Sequence, residues 1–279
     1  VNARIDPPRP APTAPATGHE GAGAARGKTR VGHALLGAAG LILLLLLWWL
    51  GADVLAKPGS FAQKFSPSTA LPTLWRLLVH SDLPLHILIS LKRVLVGLAI
   101  ALAVGVPVGL MVGGSLRAEA ATTPAFQFLR MISPLSWMPI AVMVFGVGDA
   151  PIYFLLAFAT VWPILLSTAA GVRQIDPQWL LLSRSLAATG WETLSRVILP
   201  AVLGHVLTGV RLAIGIAWIV LVPCEMLGVS AGLGYFILDT RDRLAYPELM
   251  ATILVIGLIG FALDALARAL VERVAPGRR

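Results

Sequence analysis

Few residues in this chain of 279 are of types that carry out chemistry, and their spacing argues against most of it. Gly228-Val-Ser-Ala-Gly232 has the Gly-x-Ser-x-Gly form of a nucleophile elbow with Ser230 at its centre. That chemistry needs a strand-to-helix turn with histidine and carboxylate partners. Here the motif leaves a long apolar run, and His205 lies near the opposite end of that run, so a simple turn is the better reading. An intramembrane serine hydrolase stands as a minor alternative. Residues 23–29, GAARGKT, approximate a phosphate-binding loop, but the required first glycine is Ala22 and no strand precedes it. The five histidines (His19, His33, His80, His86, His205) show no zinc-ligand spacing, and Cys224 is the single cysteine, which excludes an intrachain disulfide and a Cys-based metal cluster. Three ionisable residues inside apolar segments remain, Glu225, Arg211 and Asp264; facing lipid they would be costly, so they face protein or water. Glu225 is a candidate for the outer mouth of a translocation pathway, and a carboxylate hydrated at the membrane interface is the equal alternative. For Arg211, position beside a membrane boundary is the stronger reading.

The elements that must position these residues are membrane helices. Hydrophobic residues make up 57% of the chain and charged residues 13%, far from the usage of soluble domains, and the mean hydropathy is +0.82. Several apolar runs approach the ~20 residues that a helix needs to cross a bilayer. The pattern predicts an all-α polytopic protein with about six spans, near residues 32–50, 93–112, 128–147, 152–172, 206–227 and 249–270. The first run, LILLLLLWWL, has the look of a signal-peptide core, but its length, the preceding tail and Trp48-Trp49 favour an uncleaved anchor. Residues 1–30, rich in Pro, Ala, Gly and Thr, predict a disordered basic tail, and 273–279 form a second basic tail.

Orientation follows from the distribution of lysine and arginine. With a cytoplasmic amino terminus, the inner side collects the basic residues of both tails together with Arg117, Arg130, Arg173, Arg184, Arg196, Arg211 and Arg268. The outer side holds only Lys57, Lys64, Arg76, Lys92, Arg93, Arg241 and Arg243. Lys92 and Arg93 sit awkwardly in this scheme and are read as snorkelling from an interfacial helix that begins near His86. Leu71, Leu74, Leu77 and Leu78 predict an outer amphipathic helix on the membrane surface, within a first region spanning 31–84. A mixed segment between the last two spans is a gate, a receiving surface or a plain interfacial helix.

Within the spans, Gly105, Gly109 and Gly113 share one helix face and predict close helix packing within the chain. Pro134, Pro139 and Pro163 interrupt apolar runs and free backbone carbonyls, which marks their helices, with Trp137 and Trp218, as candidates for pathway lining. Between spans four and five lies the polar stretch 181–200, LLSRSLAATGWETLSRVILP, predicted as a docking surface for something outside the bilayer.

The stretches SPLSWMPIAVMVFGVGDA (133–150), WPILLSTAAGVRQIDP (162–177), ILPAVLGHVLTGVRLAIGIAWIVLVPCEMLG (198–228) and GLGYFILDTRDRL (232–244) carry a resemblance. From Ile132 through Leu263 the chain resembles the permease subunit of a bacterial type I ABC importer of the nitrate, sulfonate, taurine and bicarbonate type. In that superfamily a cytoplasmic loop reads Glu-Ala-Ala, three residues, Gly, nine residues, Ile-x-Leu-Pro. Anchored on Leu199 and Pro200, those positions here are Leu181, Leu182, Ser183, Ala187 and Val197, with Gly190 inside the segment; the spacing matches, but glutamate has become leucine and glycine alanine. The resemblance implies a permease core over 85–272 with a coupling loop at 177–200. It also implies a second, identical permease chain, two cytoplasmic ATP-binding cassette ATPases that hold ATP and Mg, and a periplasmic or lipid-anchored binding protein. On this reading the chain binds no cofactor, is not itself an enzyme, and imports a small anion across the inner membrane with both termini cytoplasmic. An ion-coupled secondary transporter is the alternative, with Asp264 and Glu225 as its ion sites.

Overall fold

The computed structural model describes residues 36–274 except 38, 56, 58 and 59, so the expected tail 1–30 lies outside the described residues. Among the described residues the regular elements are all helical. The apolar run near the amino terminus forms helix α1, Ala39–Val54, shorter than the other candidate spans. Its last turn carries Asp53, whose Oδ1 accepts the hydroxyls of Ser66 and Ser68 at 2.6 and 2.9 Å. Ser66 is also the N-cap of α2, Pro67–His80, so one carboxylate ties the end of α1 to the start of α2. The predicted amphipathic helix is this α2, but it does not lie free on a membrane surface. Leu77 is buried and Leu74 packs on the core, while Arg76 pairs with Glu248 at 3.1 Å and docks α2 on the last helix. Leu71, Trp75, Leu78 and Val79 form its outward stripe.

Three long helices make the centre: α3, Leu83–Gly113; α6, Asp149–Arg173; and α9, Leu199–Glu225. The middle member is α6, with α3 and α9 both packed on it. Close approach explains the glycine stripe. A Cβ at Gly109 would stand 2.7 Å from the Leu165 carbonyl oxygen and from Thr168 Cβ, and one at Gly113 would stand 2.7 Å from the Ala169 oxygen. Gly105 similarly faces Ile164, so all three glycines pack α3 on α6 within one chain, as predicted. The remaining long helix, α11 (Tyr246–Val274), lies against α9 and is reached through α10, Leu233–Asp242. Helix α11 extends to Val274 and takes in the first residues expected in the carboxy-terminal tail.

The run expected as a single span over 128–147 is a broken pair. Helix α4, Leu116–Met131, and the segment Pro134–Phe145, which contains α5 (Met138–Phe145), meet at 85°. The break has a local cause: proline disfavours helix at the residue before it, and Ile132 and Ser133 have ψ of 124° and 129°, well outside the helical range. Pro163, by contrast, sits inside α6 without ending it. Among the described residues four helices are continuous and long enough to cross a membrane, five if the bent pair counts as one; the expected first span, 32–50, lies partly outside the described residues. The bundle has two ends. One is marked by Arg93, Asp149 and Glu225, the other by the ion pair of Arg173 with Glu119, which sets the first turn of α4 level with the last turn of α6.

Candidate functional site

At the first of these ends a cluster of charges is sealed inside the helices. Arg93 is 3% exposed and Glu225 fully buried, although both lie in long, predominantly apolar helices. Arg93 directs Nε and Nη2 at Asp149 Oδ1 (3.0 and 2.6 Å) and Nη1 at Glu225 Oε1 (2.7 Å), and the same Nη1 donates to the Ala231 carbonyl at 2.6 Å. Glu225 also accepts the Ser90 hydroxyl at 2.8 Å and the Gly234 amide at 2.9 Å. The Leu233 amide in turn donates to Ser90 Oγ. This overturns the snorkelling expected of Arg93: a guanidinium with two carboxylates in reach is satisfied internally and gains nothing by reaching for headgroups. It equally removes the reading of Glu225 as a carboxylate hydrated at the interface.

The same cluster explains the Gly-x-Ser-x-Gly motif. Gly232 has φ of 117°, and a Cβ there would stand 2.5 Å from both Arg93 Nη1 and Glu225 Oε1, so only glycine fits. Its amide donates to His86 Nδ1 at 2.9 Å. The motif closes a loop over the ion cluster, and it forms neither a strand nor an elbow. Ser230 lines a cleft of about 690 Å³ beside Lys92 and Asp149 and makes no hydrogen bond among the described residues.

A second cavity of about 250 Å³ opens where the broken pair passes α6 and α9, with Pro134, Phe158, Trp162 and Pro163 among its walls. Trp137 packs on Phe158 at 5.5 Å between ring centres, and Pro139 lies in the first turn of α5 with its ring exposed. Arg130 also lines this cavity, which corrects its expected place at the cytoplasmic boundary. It lies about three turns beyond Glu119, roughly 16 Å at the rise of an α-helix. The sequence count fails here because α4 begins at Leu116, a full helix before the expected start of the span. Two other candidates sit elsewhere. Trp218 is pinned between α9 and α11, its Nε1 donating to the Ile256 carbonyl at 2.9 Å, and Arg211 pairs with Asp264 at 3.3 Å. Asp264 also holds Arg268 at 2.7 Å, so this carboxylate is committed to arginines on two helices.

At the Arg173 end the polar stretch folds into α7, Pro177–Ser185, then α8, Gly190–Thr193, which runs through a π turn at Leu194–Ile198 into α9. Thr189 and Glu192 form a capping box, so Gly190 opens α8 under a defined cap. Ser183 is buried, its hydroxyl on the Trp179 carbonyl. Trp179, Leu181, Leu182, Leu186 and Trp191 project outward, Leu186 and Trp191 each 72% exposed. Val197 lies in the π turn, and Leu199 and Pro200 start α9.

Residues 105–279 match the family described as the binding-protein-dependent transport system inner membrane component. The chain is 36% identical over 238 residues to the bicarbonate transport system permease protein CmpB of Synechococcus elongatus, covering 82% of this chain and 85% of that protein. It is 31% identical over 257 residues to the nitrate import permease protein NrtB of Leptolyngbya laminosa (91% and 92%) and 31% identical over 248 residues to the taurine transport system permease protein TauC of Escherichia coli (85% and 87%). This chain belongs to that permease family. Its fold is also that of a solved inward-facing methionine ABC transporter, MetNI, at a TM-score of 0.55 and 17% identity, over 73% of this chain and 98% of the other.

The backbone of the 177–200 stretch is unusual at one residue. Ala187 has φ of 53°, in the left-handed region, at the position where the superfamily pattern places glycine. The Ala188 amide donates to the Ser183 carbonyl and the Leu186 amide to that of Leu182, so the chain reverses after α7 as a helix C-cap does. The permease keeps the turn with alanine, at a cost of about 1–2 kcal/mol. The sequence did not single out the partnership of Arg93 with Ser90, Asp149 and Glu225, nor Trp162. The available signal was an arginine in an apolar helix with carboxylates at the matching ends of two later helices.

Proposed function

We propose that this permease imports a small anion, of the class of nitrate, bicarbonate or an alkanesulfonate such as taurine, by alternating access through the bacterial inner membrane. Its Arg173 end and both termini face the cytoplasm, where residues 177–200 dock on ATP-binding cassette ATPases that hold ATP and Mg. A second copy of the chain completes the pathway, and a binding protein on the far side delivers the cargo. The observation that carries this reading is the row of exposed apolar side chains on α7 and α8, Trp179, Leu181, Leu182, Leu186 and Trp191: on a segment whose turns are fixed by caps, they are a surface made to be covered. The relatives' named cargoes supply the anion class, since each presents a small oxyanion group.

The test is purification of the tagged chain from its host in mild detergent, as wild type and as the Leu186→Asp/Trp191→Asp double variant. An ATPase should accompany the wild type and be lost from the variant, and uptake of the native anion should stop when that ATPase's own ATP site is inactivated. A wild-type chain that is intact and folded but brings down no ATPase would overturn the assignment of this surface.

A further inference from the structure

Arg130 is the unusual charge of this molecule. Measured along the helices it stands at mid-depth: roughly 16 Å from the Glu119 level at one end, while Phe158, across the cavity from it, is about 14 Å from the Asp149 level at the other. Among the described residues no carboxylate lies within ion-pair distance of it, and none lines its cavity. Arg130 is exposed on the single chain, whereas Arg93 is matched by two carboxylates, Arg173 by Glu119 and Arg211 by Asp264. An arginine at this depth without a partner is costly and marks a place where charge is used.

The wall behind it has the same character. Trp162 is 8% exposed and lines the cavity, and its indole Nε1 is a buried donor without an acceptor among the described residues. The rings of Phe126 and Phe158 each pack on it at 5.7 Å between centres and hold it in place. The Pro163 ring in α6 leaves the carbonyl one turn back without its usual helical donor beside this wall. A guanidinium with free N–H groups, an unspent indole N–H and walls without carboxylates form a setting that favours a small anion and repels nothing negative.

We propose that the cavity between α4 and α6 is an anion subsite of the translocation pathway, with the Arg130 guanidinium as its charge partner and Trp162 as its fixed wall and second donor. The ligand class is a small, planar or tetrahedral oxyanion. This rests on the reading that the cargo is an anion, and it adds where within the chain that charge is recognised. Charge selection then occurs at mid-membrane in the permease itself, in addition to any selection by a delivering protein.

The proposal can be read without knowing the cargo. In the full chain, in permeabilised host membranes, Cys224 is replaced by alanine and Ile216, on the cavity wall, by cysteine. The labelling rates of this thiol by anionic 2-sulfonatoethyl and cationic 2-trimethylammonioethyl methanethiosulfonate are then compared. The ratio of anionic to cationic rate should fall about tenfold in Arg130→Gln and stay near its starting value in Arg130→Lys. Sodium nitrate, against a sodium gluconate control, should slow the anionic reagent where Arg130 is kept and in Arg130→Lys, and leave the Arg130→Gln protein unchanged. An equal ratio with Arg130 kept and in Arg130→Gln, or equal slowing by nitrate in both, would overturn the subsite. Failure of the proposed function reads out separately, as absence of a co-purifying ATPase from the wild-type chain, and leaves the labelling ratio to stand or fall alone.

Discussion

Helices α3 and α4 both lie against α6, and they do so in opposite ways. Helix α3 is joined to it along its whole length, by glycines that bring backbones into contact at one end and by Arg93 gripping Asp149 at the other. Helix α4 has no buried residue at all; it touches α6 through the Glu119–Arg173 pair and the packing of Phe126 on Trp162, and it carries the unmatched Arg130. Burial and charge matching thus go together. The α3 side of α6 is finished within one chain, whereas the α4 side is incomplete until something else, solute or protein, comes to it.

The contrast can be attacked from its strong side first. Arg93→Met leaves Asp149 and the buried Glu225 uncompensated and should cost about 3–5 kcal/mol, enough to lose most detergent-stable protein in a thermal aggregation assay. The Arg93→Met/Glu225→Met double variant should recover part of that loss, because it removes the orphaned charge. Gly109→Val presses on the Leu165 carbonyl and Thr168 and should destabilise by about 1–3 kcal/mol in the same assay. Ala187→Gly releases a left-handed alanine and should raise the melting temperature, by a gain of about 1 kcal/mol at most. Arg130→Gln should move stability least, by under about 0.5 kcal/mol or slightly upward, since no partner is lost. If Arg130→Gln were as damaging as Arg93→Met, the two faces of α6 would not differ in the way described.

Much of this was legible in the sequence where one periodicity or one spacing determines the outcome. Gly105, Gly109 and Gly113 at intervals of four predict a single packed face, and the backbone realises it. The stretch 181–200 declared itself by its polarity between apolar runs. What escaped were properties that depend on depth. Arg130 is eleven residues from Glu119, but only the start of α4 at Leu116 and its break before Pro134 reveal that those residues carry it to the level of the cavity beside Trp162. Arg93 was misjudged for a related reason: snorkelling and burial look the same in a sequence until the carboxylates of α6 and α9 are brought beside it. Glu225 stood out as an intramembrane acid, yet its partners lie on two other segments of chain, α3 and α10.

One further consequence concerns the length of a single element. From Gly190 to Glu225 the chain is one helix of 36 residues, about 54 Å along its axis, with only the wide turn at Leu194–Ile198 to soften it. Trp191 stands at one tip and the sealed ion cluster at the other. A rod of that kind carries displacement as a lever does. A tilt of a few degrees imposed at the Trp191 tip shifts Glu225 by ångströms relative to Arg93, which is anchored on a different helix. The hydrogen bonds of that cluster, all near 2.6–2.9 Å, cannot follow such a shift. The two ends of this molecule therefore need no relay of small adjustments between them, because they are the two ends of the same bar.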